Sequence, residues 1–164
     1  MKLLVKDNYV IVDRQSFPCA MGINGIAEDK VEGDKCTPIG EFKIKKIFYR
    51  RDKLGTLNFL IPNEPITSED GWCDDPKSKF YNQHIKFPFG QSAERLYRDD
   101  DLYDIVCVLN YNTDPIIAGK GSAIFMHVSK PNFEGTEGCI AIEREEIIKL
   151  SQKIKDSSTV IVQD

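Results

Sequence analysis

The apolar segments of this chain are short, and turn-forming residues separate most of them. Many are rich in β-branched and aromatic residues, which favour strands over helices. Asp7 and Asn8 divide the first two segments and tolerate the positive φ of a tight turn, so the chain should begin with a β-hairpin. The pattern predicts extended structure at residues 3–6, 9–12, 17–26, 41–50, 57–61, 104–111, 123–128, 139–142 and 159–162. We therefore expect a mostly-β fold.

One segment, residues 144–155, has the spacing of an amphipathic helix. Ile147, Ile148, Leu150 and Ile154 form an apolar stripe along it. Glutamates cluster at its start and lysines at its end, and both suit the helix dipole. The sequence therefore predicts one helix in the C-terminal half of the chain.

The size and charge of the chain limit the classes of function. Its 164 residues are expected to form one domain spanning residues 1–164, because single domains commonly contain about 100–200 residues. The formal net charge is −4, so we expect no nucleic-acid partner bound by bulk electrostatics. No apolar run approaches the roughly 18 residues of a membrane helix, so no integral membrane segment is expected. Charged residues interrupt the N-terminal apolar stretches, and the sequence predicts no signal peptide.

The five cysteines do not indicate a metal site or a redox dithiol. They are odd in number, none lies in a C-x-x-C motif, and the chain has only two histidines. We therefore expect neither a metal nor another cofactor. Reduced cysteines, with at most one thiol of special reactivity, are the simpler interpretation.

His127 and Cys139 are the one pair whose setting points to chemistry. His127 lies in the apolar segment AIFMHV, and Cys139 begins another after a loop that must turn at Pro131, Gly135 and Gly138. Such a strand-loop-strand unit can bring an imidazole within reach of a thiol, which needs activation because its free pKa is near about 8.5. Gly138 would let a substrate carbonyl approach and free backbone N–H groups for an oxyanion. The residue types alone also fit a satisfied core histidine and a small buried cysteine.

Residues 63–79 are rich in Pro, Asp and Gly and are predicted to form a long loop. Loops of this length in compact domains are usually functional or disordered. The only tryptophan, Trp72, lies in the segment and Tyr81 follows it, so we expect an ordered wall or lid. In one interpretation Trp72, Asp74, Asp75 and Tyr81 line a groove for an amine-bearing ligand. In the other, Trp72 fills the core beneath the loop.

Several motifs occur in the order found in a known family. Thr37-Pro38-Ile39-Gly40-Glu41-Phe42 resembles the TPxGxF motif of the L,D-transpeptidase catalytic domain, also called the YkuD domain. His127, the loop after it and Thr136-Glu137-Gly138-Cys139-Ile140 resemble the active-site segment of that domain. A narrower branch with a T-E-G-C active-site motif is similar over nearly the whole chain, in the spacing of Gly71-Trp72-Cys73-Asp74-Asp75-Pro76, Tyr81-Asn82, Gly121-Ser122-Ala123-Ile124-Phe125 and Thr136-Glu137-Gly138-Cys139.

This resemblance implies a β-sandwich-like catalytic fold and acyl transfer between peptidoglycan stem peptides, one donor and one acceptor. Enzymes of the family cleave the bond before the terminal D-alanine of a tetrapeptide stem. They pass the acyl group to an amine, which forms 3→3 cross-links or exchanges the terminal D-amino acid. By motif match Cys139 is the nucleophile and His127 is the general base and acid, with Gly138 beside the oxyanion. The family acts in the periplasm or cell wall, whereas no signal peptide is visible in this chain.

Three positions depart from the pattern of the broader family. Glu137 replaces a histidine, Ala141 replaces an arginine, and Val128 follows His127 where Gly or Ser is common. These changes alter substrate contacts and leave two other functions open, an L,D-carboxypeptidase that hydrolyses the same bond and a catalytically inert wall-binding module.

The role of Glu137 depends on the local backbone. If residues 137–139 are extended, Glu137 stands beside Cys139, where it would bind a substrate ammonium or stabilise His127 as imidazolium. If Gly138 bends the chain, Glu137 faces water. An imidazolium beside the thiol also predicts that Cys139 is alkylated faster than the other cysteines at pH about 6–7.

Overall fold

The computed structural model describes residues 1–164, and most of their regular structure is β-strand. The helices are the four-residue α1 (Arg51–Leu54), a 3-10 turn (Pro131–Phe133) and α2 (Arg144–Ser151). This confirms the predicted mostly-β class with one longer helix. The strands are β1 (Lys2–Lys6), β2 (Tyr9–Val12), β3 (Gln15–Ala20), β4 (Ile26–Ala27), β5 (Thr37–Pro38), β6 (Gly40–Tyr49), β7 (Asn63–Pro65), β8 (Asp70–Cys73), β9 (His84–Lys86), β10 (Ala93–Arg95), β11 (Ile105–Leu109), β12 (Phe125–Val128), β13 (Ile140–Ile142) and β14 (Thr159–Val162).

Most strands belong to one sheet that closes on itself. Nine strands follow the order β11-β12-β13-β3-β2-β1-β14-β6-β7, and β11 also pairs with β6. This extra pairing joins β11, the first strand of the order, to β6, the last but one, so every strand of the sheet except β7 lies in a closed circuit. The long β6 makes closure possible because it changes partner along its length, from β14 at residues 40–43 to β11 at residues 44–49.

The predicted N-terminal hairpin is present. β1 and β2 are antiparallel, and Asp7 and Asn8 both adopt positive φ, 52° and 61°, in the turn between them. On its other side β1 pairs in parallel with β14, the predicted last strand. Alternation along β1 buries Leu3 and Val5 completely in the main core cluster.

β11 and β12 are buried on both faces, which explains their uninterrupted apolar sequences. In β12, Met126 and Val128 belong to the main cluster, while Phe125 belongs to a second cluster on the opposite face. β8, which pairs with β9 and β10 in a separate three-stranded sheet, contributes to that second cluster. The members of the second cluster are Phe48, Ile66, Trp72, Leu96, Tyr103, Val106, Val108, Phe125 and Cys139.

The pairing of β12 with β13 brings the two candidate residues to one face. These strands are parallel, with Met126 opposite Ile140 and His127 opposite Ala141. Cys139 lies two positions before Ala141, and side chains two positions apart in an extended chain share a face. The second cluster and the candidate pair therefore occupy the same side of the sheet.

Helix α2 begins where the sequence predicts and ends earlier. The Glu143 carboxylate caps it by accepting hydrogen bonds from the N–H groups of Glu145 at 2.9 Å and Glu146 at 3.2 Å. The helix ends at Ser151 rather than residue 155, because the chain turns there to return Ile154 to the main cluster. No helix in the structure has the length and apolar character needed to cross a membrane.

Two expectations for the middle of the chain are contradicted. Residues 57–61 form no strand, and Leu57 and Phe59 pack on the main cluster from irregular chain. Residues 63–79 are not one loop, since they contain β7 and β8. Asp70 and Gly71 are poor strand formers, which hid β8 from sequence analysis. The strand exists because Asp70 bonds His84 at 2.6 Å and because Gly71 allows the close approach of Phe87.

Trp72 fills the core beneath the residue 63–79 segment. Its side chain is 7% exposed, and its ring meets Phe125 edge-on with centroids 5.1 Å apart. The indole Nε1–H donates to Asn82 Oδ1 at 3.0 Å, so its polar atom is satisfied inside the protein. Of the two interpretations of Trp72, the structure matches the core one.

We expect Trp72→Ala to lower the free energy of unfolding by about 3–5 kcal/mol, because it removes a large buried side chain and leaves a cavity. Urea unfolding measures this change. Ile117→Ala is the matched control, since Ile117 is 53% exposed and its truncation should change stability by less than about 0.5 kcal/mol. If Trp72→Ala instead leaves the free energy of unfolding unchanged and raises KM, the groove interpretation of Trp72 is the correct one.

Candidate active site

Cys139 and His127 line one pocket of about 270 Å³. Tyr103 and Ala141 contribute to its wall, and Ala141 leaves room beside His127 because it is the small residue opposite it in β13. The remaining lining is rich in charge of both signs, including Lys30, Lys35, Arg98, Asp74, Glu94 and Glu137. A pocket of this composition suits a polar ligand with ionised groups.

The Cys139 thiol is held by backbone groups of β12 and the residues before it. Its Sγ–H donates to Ala123 O at 3.1 Å, and Phe125 N–H donates to Sγ at 3.4 Å. Burial raises the pKa of the thiol to about 12, the Glu94 carboxylate adds to the rise, and the Lys30 ammonium opposes it. The resting side chain is therefore a neutral thiol at pH 7.

The His127 imidazole is also neutral at rest. Its Nδ1–H donates to Val128 O at 2.8 Å, which leaves Nε2 without a proton and free to accept one. Burial lowers the pKa of His127 to about 4. Its ring lies edge-on to Tyr103 with centroids 5.2 Å apart.

The two side chains share a pocket, but they do not form the expected ion pair. The hydrogen bonds of the thiol and of the imidazole go to backbone groups, not to each other. Burial disfavours both charged forms, because it raises the pKa of Cys139 and lowers that of His127. The structure thus holds a neutral thiol and a neutral base in one pocket.

A tight turn at Gly138 sets the backbone beside the thiol. Gly138 has φ of 131°, and a Cβ there would lie 2.8 Å from Cys36 O, so only glycine fits. The Thr136 hydroxyl accepts from Gly138 N–H at 3.1 Å and donates to Cys139 O at 2.6 Å. The N–H of Cys139 makes no hydrogen bond within the protein and remains available to a ligand.

Asn82 supports the thiol from behind, a role that sequence analysis missed. Its Oδ1 accepts from Ala123 N–H at 3.0 Å, and its Nδ2–H groups donate to the carbonyls of Tyr111 and Asn112. Ala123 has φ of 53°, a conformation that costs energy for any residue with a side chain. The hydrogen bond to Asn82 holds Ala123 in this conformation, in which the Ala123 carbonyl accepts from the Cys139 thiol. The Tyr81-Asn82 motif contained a signal for this residue but not its function.

Glu94, Arg98 and Tyr103 form a wall that no sequence pattern indicated. The Tyr103 hydroxyl donates to Glu94 Oε1 at 2.5 Å, and burial raises the pKa of Glu94 although this bond opposes the rise. The guanidinium of Arg98 makes two bonds to Asp100, at 2.8 and 2.6 Å. Glu94 lies in β10, and Arg98 and Tyr103 lie in the connection from β10 to β11, which the fold brings to the pocket.

The predicted substrate contacts divide into two groups. Asp74 and Glu137 line the pocket, and the Glu137 side chain is 89% exposed and 3.9 Å from the Lys35 ammonium. Gly138 turns the chain, so Glu137 lies at the mouth rather than against the thiol. Trp72 and Tyr81 do not line the pocket. Tyr81 is buried behind it, where its hydroxyl bonds Glu32 and accepts from Gly121 N–H.

The other four cysteines lack this setting. Cys19 and Cys107 are buried, and burial raises the pKa of each to about 12. Cys73 is buried in β8, and Cys36 is the most exposed of the five. No group of three or more His, Cys, Asp or Glu side chains is arranged to hold a metal ion.

Comparison with known proteins gives one match that spans the fold. No curated protein matches the chain. The model of the YkuD family, described as the L,D-transpeptidase catalytic domain, matches residues 2–162 and so includes every strand described above. The chain therefore belongs to the YkuD family of L,D-transpeptidase catalytic domains.

Proposed function

We propose that this protein is a cysteine-dependent L,D-transpeptidase that forms an acyl-enzyme on Cys139 with a peptidoglycan stem peptide. Its family implies L,D-transpeptidase activity on peptidoglycan. The observation that carries the finer proposal is that Cys139 and His127 line the same pocket. The free N–H of Cys139 and the unprotonated Nε2 of His127 support it.

In the first half-reaction the Cys139 sulfur attacks the carbonyl carbon that precedes the terminal D-alanine. The thiol proton passes to His127 Nε2, which then delivers it to the departing amine. A C–S bond forms, the C–N bond breaks, and free D-alanine leaves with the proton. The product is a thioester between the remaining tripeptide and Cys139.

In the second half-reaction an amine on an acceptor stem, or a free D-amino acid, attacks the thioester. His127 removes a proton from the incoming nitrogen and returns it to the cysteine sulfur. The new C–N bond replaces the C–S bond, so no cofactor or oxidant enters the balance. The N–H of Cys139 donates to the oxyanion in both steps, and loss of such a donor typically costs about 2.7–4 kcal/mol of transition-state stabilisation.

The neutral resting pair determines when the nucleophile forms. A Cys139 thiolate is disfavoured by burial and by the Glu94 charge. Proton transfer to His127 is therefore coupled to attack on a bound carbonyl, with the developing charge passing to the oxyanion. This mechanism protects the free thiol from side reactions.

The covalent intermediate is detectable by its mass. Incubation with a tetrapeptide stem should add the mass of the tripeptide acyl group to the protein, at Cys139, because the thioester retains all but the terminal D-alanine. Intact-protein and peptide mass spectrometry measure this addition. Cys139→Ala should abolish it, whereas Cys36→Ser should not, since Cys36 makes no proposed contact with the acyl group.

Product analysis then separates the remaining functions. With an amine acceptor present, cross-linked or exchanged product supports transfer, whereas free tripeptide alone indicates an L,D-carboxypeptidase. A wild-type protein that binds stems without forming any adduct, and binds them equally well as Cys139→Ala, is an inert wall-binding module.

The pH dependence of kcat/KM tests the protonation state of His127. His127 must be unprotonated to act as the base, and its lowered pKa keeps it unprotonated below its ordinary range. We expect kcat/KM to stay constant as pH falls from 7 and to drop to half its value near pH 4. The reason is that kcat/KM follows the pKa values of essential groups in the free enzyme. Circular dichroism at each pH verifies that the protein stays folded. A half-value near pH 6.5, the ordinary pKa of histidine, would contradict this account.

The order of thiol reactivity should be the reverse of the one expected from sequence, in which Cys139 reacts first. Iodoacetamide at pH 7 should label Cys36 before Cys139, because Cys36 is partly exposed and the Cys139 thiolate is disfavoured by burial. Peptide mass spectrometry over time measures both rates. His127→Ala should leave the Cys139 rate nearly unchanged. Faster labelling of Cys139 that depends on His127 would instead show that an ion pair forms.

A further inference from the structure

Lys30 is a buried lysine whose ammonium reaches the candidate active site. Its side chain is only 3% exposed, and its Nζ donates to Asp34 Oδ1 at 2.6 Å. An ammonium group has three N–H donors, and Asp34 accepts the only hydrogen bond that this one makes to the protein. The two other donors face no protein acceptor, although burying an ammonium group is costly unless it is well paired.

The surrounding loop fixes the position of this ammonium. Asp34 Oδ1 also accepts from Cys36 N–H at 2.8 Å, and Asp34 Oδ2 accepts from Val31 N–H at 2.8 Å. The carboxylate is therefore anchored by backbone on both oxygens, and it holds the lysine in turn. Such an arrangement presents a cation in a defined place rather than on a mobile side chain.

That place is directly beside the residue that precedes the nucleophile. The Lys30 stem passes Gly121, where a Cβ would lie 2.9 Å from its Cε, and its Nζ lies 3.2 Å from the position of a Cβ on Gly138. Lys30 lines the same pocket as Cys139, and its charge lowers the pKa of that thiol against the effect of burial. The ammonium is thus close enough to act on a group bound at Cys139.

The other cations of the pocket do not offer the same interaction. Lys35, Arg98 and Lys130 are 49%, 35% and 51% exposed, whereas Lys30 is 3% exposed. Water screens an exposed charge, whereas a desolvated charge interacts more strongly with an ion of opposite sign. Lys30 is therefore the cation from which a bound anion gains most.

We propose that Lys30 binds the terminal carboxylate of the donor stem and so restricts the acyl donor to peptides that end in a free carboxylate. This inference rests on the proposed acyl transfer at Cys139. In that reaction only the amide nitrogen and one Cα separate the attacked carbonyl from the carboxylate of the leaving D-amino acid. A group that binds this carboxylate must therefore lie next to the nucleophile, which is where Lys30 lies.

The test compares two donors that differ only at this end, a tetrapeptide with a free C-terminal carboxylate and the same peptide as its C-terminal amide. The readout is the kcat/KM of acyl-enzyme formation, followed by mass spectrometry. Wild type should prefer the free acid by roughly 10- to 100-fold, the range expected for a hydrogen bond between charged groups. Lys30→Met keeps an unbranched side chain one atom shorter and removes the charge. It should lose the preference, because acylation by the free acid slows and acylation by the amide does not. Lys35→Met, which removes an exposed cation of the same pocket, should retain it.

Each other outcome is decisive. If Lys30→Met lowers the kcat/KM of acylation equally for both peptides, Lys30 only supports the loop or the oxyanion, and the inference is overturned. If Lys30→Met does not fold, wild type decides, since equal acylation by acid and amide also overturns the inference while leaving the acyl transfer intact. No acyl-enzyme from either donor in wild type overturns the proposed function and the inference with it.

Discussion

Burial of β12 and β13 on both faces is the constraint on which the rest of this molecule depends. One face of these strands contributes Met126 and Ile140 to the main cluster. The other face presents His127 and Cys139 beneath a second layer that contains Trp72 and Tyr103. Because the pairing of His127 with Ala141 fixes the register of β12 and β13, His127 and Cys139 line one pocket.

The same burial determines the protonation states of the site. Removal of water disfavours the thiolate of Cys139 and the imidazolium of His127, and both shifts favour the neutral forms. Fixed charges then adjust this balance, since Glu94 raises the pKa of the thiol and Lys30 lowers it. Such a site holds a neutral thiol and a neutral imidazole rather than a preformed ion pair.

The backbone around the thiol is unusual in conformation. Gly138 and Ala123 both have positive φ, and each is stabilised by a side chain, Thr136 and Asn82 respectively. These bonds offset the local strain, and the carbonyl of Ala123 is placed where it accepts a hydrogen bond from the thiol. Asn82 Oδ1 also accepts from the indole N–H of Trp72, so one amide links the core beneath the site to the backbone that bonds the Cys139 thiol.

The sequence by itself determined what depends on neighbours along the chain. Alternation and turn residues predicted the N-terminal hairpin, β6, β11, β12 and β14, and the cluster of glutamates marked the start of α2. The motifs around His127 and Cys139 indicated the family, because those residues lie close together in the chain. Tertiary structure alone decided the rest. β8 forms only because β9 and β10 flank it. Lys30 and Tyr103 reach the pocket from two different loops, and Glu94 reaches it from β10. The protonation of Cys139 and His127 was also beyond sequence, since desolvation depends on which side chains cover a group after the whole sheet has closed.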